Sequence, residues 1–138
     1  MKSPDSASTQ RHTFRKSQQI RSSLEYADIF EQKVRASNPC LLIYGRKSPT
    51  SWSRIGLSVS RKHGNSIRRH RLRRLLREAF RLSQHQLPQG YDWILIPKVS
   101  NQHTVPQFQS ALVEITSRIA KKLNRSRDKE ELGEASNG

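Results

Sequence analysis

The chain has a single cysteine, Cys40, among its 138 residues. Without a second thiol, an intramolecular disulfide and a cysteine-based zinc knuckle are both excluded, and a reducing compartment, the cytoplasm, is the expectation. Acidic residues are also scarce: 11 Asp plus Glu stand against 26 Lys plus Arg, a formal net charge of +15. An excess of that size belongs to nucleic-acid binders, although it is silent about fold. Long apolar runs are missing, so neither a membrane span of roughly 18 apolar residues nor the apolar core of a signal peptide is present. Gly45 and Gly64 stand alone, and nothing resembles a glycine-rich phosphate loop. His12, His63, His70, His85 and His103 show no metal-ligand spacing with one another and a carboxylate, so no protein metal site is expected.

What remains is the material of one small domain. Residues 1–18 and 125–138 are polar with little to bury and read as flexible tails around a domain spanning 19–124. Ser22 followed by Glu25 is a capping-box signature, and Tyr26, Ile29 and Phe30 then recur at helical spacing. "PCLLIYGRK" and "SRIGLSVSRK" read as strands, paired as a hairpin through "KSPTSW"; the second alternates Ile55, Leu57 and Val59 with Gly56, Ser58 and Ser60. Its small second face permits something to approach the backbone closely. Asn65 or Ser66 caps a second helix, "YDWILIPK" is a further strand, and Phe108, Ala111, Leu112, Ile115 and Ile119 mark a last helix. The sum is an α+β chain: a two-layer α/β sandwich ordered helix, strands, helix, strand, helix, with a sheet of three or four strands.

The second helix carries the functional signal. Leu72, Leu75, Leu76, Ala79 and Phe80 form an aliphatic stripe; His70, Arg73, Arg74, Arg77 and Arg81 oppose it, with Arg69 and Arg71 on the flanks. A solvated charged face is what most charge runs are, but such faces mix signs, and here Glu78 is the only acid on the helix. Like charges three and four apart repel, and cations near the helix start oppose the macrodipole; a bound polyanion reverses both effects. Arginine rather than lysine favours RNA or DNA, because a guanidinium makes bidentate phosphate contacts and stacks on bases. A lipid surface would need apolar side chains that this helix commits to the core. For Tyr26, Phe30 and Tyr44, periodicity favours core packing, the alternative being a platform for unpaired bases. His63 and His70 raise a minor alternative, an imidazole nuclease, although no third group is evident to orient either ring.

"IGLSVSRKHGNSIRRHRLRRLLREAFR" closely resembles the signature of the bacterial ribonuclease P protein subunit: a strand, a basic pair, Gly-Asn, and an Arg-Asn-Arg element opening an arginine helix that ends Arg-Glu-Ala-Phe. The likeness extends more weakly from about Ile20 to Leu123, with Tyr26, Phe30 and Tyr44 at the family's aromatic positions. This resemblance implies a mixed sheet with a left-handed βαβ crossover, against the general right-handed rule. It further implies a protein that binds a catalytic RNA and the 5′ leader of precursor tRNA. Cleavage would then belong to the RNA and its bound Mg²⁺, with no catalytic protein side chain and no protein-held metal; no protein partner is evident from the sequence. Carried over, Arg61, Lys62, Asn65, Arg68, Arg69, His70, Arg71, Arg73, Arg74 and Arg77 face RNA, while Tyr26, Phe30 and Tyr44 line a leader cleft. His70 departs from the family's central Asn: a neutral imidazole offers one donor and one acceptor in a different geometry. The rival reading is a non-catalytic basic RNA-binding protein of ribosomal or chaperone type.

Overall fold

Capping, strand pairing and burial assign every element of the computed structural model, which describes residues 14–100 and 102–137. Helix α1 (Ser23–Gln32) starts where the Ser22 side chain accepts from the Glu25 N–H, and it stops at Lys33, which takes a left-handed φ of 58°. Only half of the capping box forms, because the Glu25 carboxylate reaches Arg46 and Arg54 instead. Strands β1 (Arg35–Ser37) and β2 (Leu41–Lys47) form a tight antiparallel pair, with Asn38 Oδ1 accepting from the Cys40 and Leu41 N–H groups between them. Strand β3 (Arg54–Leu57) leads through a 3₁₀ turn at Arg61–His63 into α2 (Ser66–Ser83), followed by β4 (Tyr91–Pro97) and α3 (Val105–Asn137).

The sheet order is β1-β2-β4-β3, antiparallel except where β3 runs parallel to β4. The expected β2–β3 hairpin is therefore not formed: β4 inserts between the two strands. The reason is burial, since β4 is enclosed on both faces with Trp93, Ile94 and Leu95 at 0% exposure, and such a strand gains most with a partner on each edge. Strand β1 escaped the sequence reading because Arg-Ala-Ser carries no apolar alternation and is recognisable only by its pairing. The outer edge of β3 is covered rather than left open: Ile20 N–H donates to the Ile55 carbonyl at 2.8 Å, and Leu57 N–H donates to Tyr26 Oη at 2.9 Å.

Helices α2 and α3 cover one sheet face. Leu72, Leu76, Ala79 and Phe80 from α2, with Phe108, Leu112 and Ile115 from α3, pack against Ile43, Ile55, Trp93 and Leu95. Each Leu, Ile or Phe side chain among them is worth about 1.5–3 kcal/mol when fully buried. The opposite face carries a smaller core of Ile20, Ile29 and Ile94, with Tyr26, Phe30, Tyr44 and Ile96 only partly buried around it. Helix α1 thus covers only part of that face and leaves a groove beside it.

Residues 1–13 of the N-terminal tail lie outside the described residues. Phe14 packs edge-on against Phe80 at 5.8 Å, and the Ser17 carbonyl accepts from Trp52 Nε1 at 2.9 Å, so the segment entering the domain is anchored. At the other end the backbone of α3 continues helically beyond residue 124, the boundary drawn from composition.

Candidate nucleic-acid interface

Every cation singled out on the arginine stretch is presented by two adjoining elements, the 3₁₀ turn and α2. Gly64 joins them at φ 119°, where a side chain would be strained and a Cβ would meet Arg68 Cδ at 2.8 Å. Asn65 then caps α2, its Oδ1 accepting from the Arg68 N–H at 2.9 Å. Its carbonyl oxygen is thereby committed to the helix, although the residue remains exposed. Arg61, Lys62, Arg68, His70, Arg71 and Arg74 are exposed, whereas Arg69, Arg73 and Arg77 are half-buried. Arg69 Nε is buried without a hydrogen-bond partner, and Arg73 reaches the Val59 carbonyl at 3.4 Å. The one acid of the helix is engaged, Glu78 binding Arg81 through two hydrogen bonds, which holds the Glu78 carboxyl below its usual range.

The three aromatics gather on the sheet face that α1 half covers. Phe30 and Tyr44 meet edge-on at 4.8 Å, and the Arg35 guanidinium both lies over the Tyr44 ring and donates to its hydroxyl at 2.8 Å. Tyr26 lies across β3, exchanging hydrogen bonds with the Leu57 backbone. Burial pushes its phenol up, opposed by the weaker influence of the Leu57 bond. Gly56 makes this placement possible: a Cβ there would sit 2.5 Å from Tyr26 Oη. The close approach implied by the small face of β3 is thus made by Tyr26, a member of the cleft itself. Core packing and accessibility coexist here, since all three aromatics touch the small core yet remain partly accessible.

Tyr26 also stands at the junction of cleft and helix. A cavity of about 200 Å³ is bordered by Tyr26, Gly56 and Leu57 on one side and by Arg73 and Arg77 on the other. One of the three aromatics, Tyr26, therefore shares a cavity with two arginines of α2, while Phe30 and Tyr44 do not border it. Arg35, at the far end of the cleft, was not singled out from sequence; only the β1–β2 register, which sets Arg35 opposite Tyr44, reveals it.

Two other arginines are withdrawn from any interface. Asp92, 0% exposed, lies between Arg46 and Arg54, accepting from both Nε atoms at 2.9 Å. Glu25 joins both guanidiniums and Asp28 pairs with Arg46, so α1 is clamped to β2, β3 and β4 at one end of the groove. For Arg54 the hydrogen bond to Asp92 is the largest influence and, with Glu25, raises its pKa against burial. For Arg46 burial is the largest influence and acts downward, but Asp92 and Asp28 together outweigh it.

The imidazole pair does not assemble. His63 is buried, its Nδ1 accepting from the Ser60 N–H at 3.0 Å and its Nε2 donating to the Pro97 carbonyl at 2.6 Å, so both nitrogens brace the turn against β4. His70 is exposed and borders a different hollow. Among the described residues no three of His, Cys, Asp and Glu lie together as metal ligands, and no helix is long and apolar enough to cross a membrane.

The sequence model of the Ribonuclease P family matches residues 14–120. The ribonuclease P protein component of Haemophilus influenzae is 43% identical over 76 residues, which cover 54% of this chain and 63% of that protein, so the match spans less than two thirds of that relative. The corresponding protein of Finegoldia magna is 34% identical over 110 residues, covering 78% of this chain and 95% of that one. Among solved structures, the RNase P protein from Thermotoga maritima matches with a TM-score of 0.66 at 27% identity, covering 72% of this chain and 96% of that chain. The Staphylococcus aureus RNase P protein gives 0.65 at 26%, covering 77% and 97%.

Proposed function

Since this chain belongs to the Ribonuclease P protein family, we propose that it is the protein subunit of a ribonucleoprotein that removes the 5′ leader from precursor tRNA. The catalytic RNA is the partner of the arginine surface, through Arg61, Lys62, Asn65, Arg68, Arg69, His70, Arg71, Arg73, Arg74 and Arg77. The single-stranded leader occupies the groove lined by Tyr26, Phe30 and Tyr44. The observation that supports this reading is the cavity bordered by Tyr26, Arg73 and Arg77, where one of the three aromatics meets two arginines of α2.

The physical logic is electrostatic. Catalytic RNA and precursor are both polyanions, and a rigid array of guanidiniums between them lowers the cost of bringing their backbones together. Bases of an unpaired leader find partly exposed aromatic rings, each stack being worth about 1–3 kcal/mol. Among the described residues no three of His, Cys, Asp and Glu gather as a metal cage. In this reading bond cleavage is the work of the RNA with its own Mg²⁺, and the protein binds, orients and screens charge.

The decisive experiment is cleavage of a leader-bearing precursor tRNA at low Mg²⁺ by a bacterial ribonuclease P RNA, with and without this protein, and by the protein alone. Stimulation only in the presence of the RNA is the expected result. Tight RNA binding without stimulation would instead identify a non-catalytic RNA-binding protein, and activity of the protein alone would overturn the assignment of chemistry to RNA.

A further inference from the structure

The face of α2 turned away from the cleft has its own hollow, of about 470 Å³, between the turn at Arg61–His63, the first turns of α2 and the loop after β4. Its volume lies within the roughly 300–1,000 Å³ typical of small-ligand sites. Leu72, Leu75 and Val99 supply an apolar floor, while Lys62, Arg68 and Arg71 supply the rim, and no Asp or Glu lines it. Val99 is 63% exposed, one of few large apolar side chains so placed among the described residues. The loop holds it there: His103 stacks on Phe108 at 4.8 Å and its Nε2 donates to the Lys98 carbonyl at 2.6 Å, while Lys98 N–H donates to the Cys40 carbonyl at 3.1 Å. A phosphate backbone alone has no use for an apolar floor, and an apolar ligand has no use for three cations.

We propose that this hollow receives one unpaired nucleotide of the partner RNA, its base against Leu75 and Val99 and its phosphates on Lys62, Arg68 and Arg71. This deepens the reading of the arginine surface as an RNA interface, on which it rests. It divides the α2 cations into two groups: Arg73 and Arg77 serve the cleft side, whereas Arg68 and Arg71 hold the phosphate end of a nucleotide extruded from the RNA on the other side. A flat base face buries against aliphatic side chains, and charge-assisted hydrogen bonds from the rim fix the phosphate end.

The test is methyl NMR of the full chain titrated with adenosine monophosphate, ribose 5-phosphate and inorganic phosphate at constant ionic strength. Adenosine monophosphate should move the Leu75 and Val99 methyl signals saturably, while the other two leave them in place. Val99→Ser, a change at an exposed loop position, should weaken that binding about fivefold, the scale of one or two buried methyl groups, with the core Leu112 signal unmoved. Equal movement by ribose 5-phosphate, or no movement by the nucleotide, overturns the proposal. RNA affinity separates the two readings. Loss in Arg73→Ala/Arg77→Ala with none in Val99→Ser removes the nucleotide pocket and leaves the interface standing, whereas loss in neither removes the interface.

Discussion

Tyr26 shows how a single residue serves fold and function together. Its hydroxyl occupies the Leu57 N–H on the outer edge of β3, and its ring borders the cavity shared with Arg73 and Arg77. Gly56→Ala should displace the ring, since the new methyl would overlap Tyr26 Oη. We expect the variant to fold but to bind a leader-bearing precursor several-fold more weakly, with mature tRNA unaffected; equal binding of precursor by both proteins would refute the role given to Gly56. Tyr26→Phe removes the hydroxyl and should cost about 1 kcal/mol in urea denaturation, the worth of one ordinary hydrogen bond. The effect has a pH signature. Burial raises the Tyr26 phenol above the ordinary value of 10.0, so the stability its neutral form contributes is fully present below pH 10 and fades as pH rises through the higher folded value. The variant should therefore lose less stability than the parent between pH 9 and 11. Sequence reasoning could see that β3 has one face of Gly and Ser, but not what lay on it, because the contact spans 31 residues and depends on how α1 crosses the sheet.

At the level of elements, the groove exists because α1 is held at one end and open at the other. Asp92, Arg46, Arg54, Glu25 and Asp28 tie its first turns to three strands, while Phe30 and Tyr44 beyond the clamp stay partly exposed. Removing one member of a buried ion network leaves its partners uncompensated, a loss of about 3–5 kcal/mol. Asp92→Ala should show a fall of that order in unfolding free energy. Glu25→Gln, at the rim of the same network, should cost far less. Phe30→Ala tests the open end: precursor binding should fall about tenfold or more, consistent with one base stack, while mature tRNA binding holds. Capping and periodicity made α1, α2 and the start of α3 legible, since Ser22, Asn65 and the leucine stripe act locally. Strand order was not legible, because which edge β4 enters is decided by double-sided burial of Trp93, Ile94 and Leu95, a property of the assembled sheet. The network was hidden for the same reason: Arg46, Asp92 and Arg54 are neighbours only through register.

Across the whole molecule, charge is sorted rather than spread. Residues 61–77 contain eight Lys and Arg and no acid. Among the described residues five acids are engaged elsewhere: Glu25, Asp28 and Asp92 on the α1 clamp, Glu78 on Arg81, and Glu114 near Arg118 at 3.8 Å. Two consequences follow for RNA binding. The cations of this stretch stand close together on the turn and α2, so affinity for RNA should fall steeply with salt through release of counterions. They are also held by a scaffold whose core is independent of them, so their removal should leave folding intact. Arg73→Ala/Arg77→Ala separates these effects from a merely structural role. Its unfolding midpoint should stay close to that of the parent, while its affinity for ribonuclease P RNA drops and the slope of log affinity against log salt becomes shallower by about one for each phosphate no longer neutralised. A variant that unfolds early would assign these arginines to the fold. A variant with unchanged affinity and slope would place the RNA on another face, because two guanidiniums bordering the junction of cleft and helix could not then be touching phosphate.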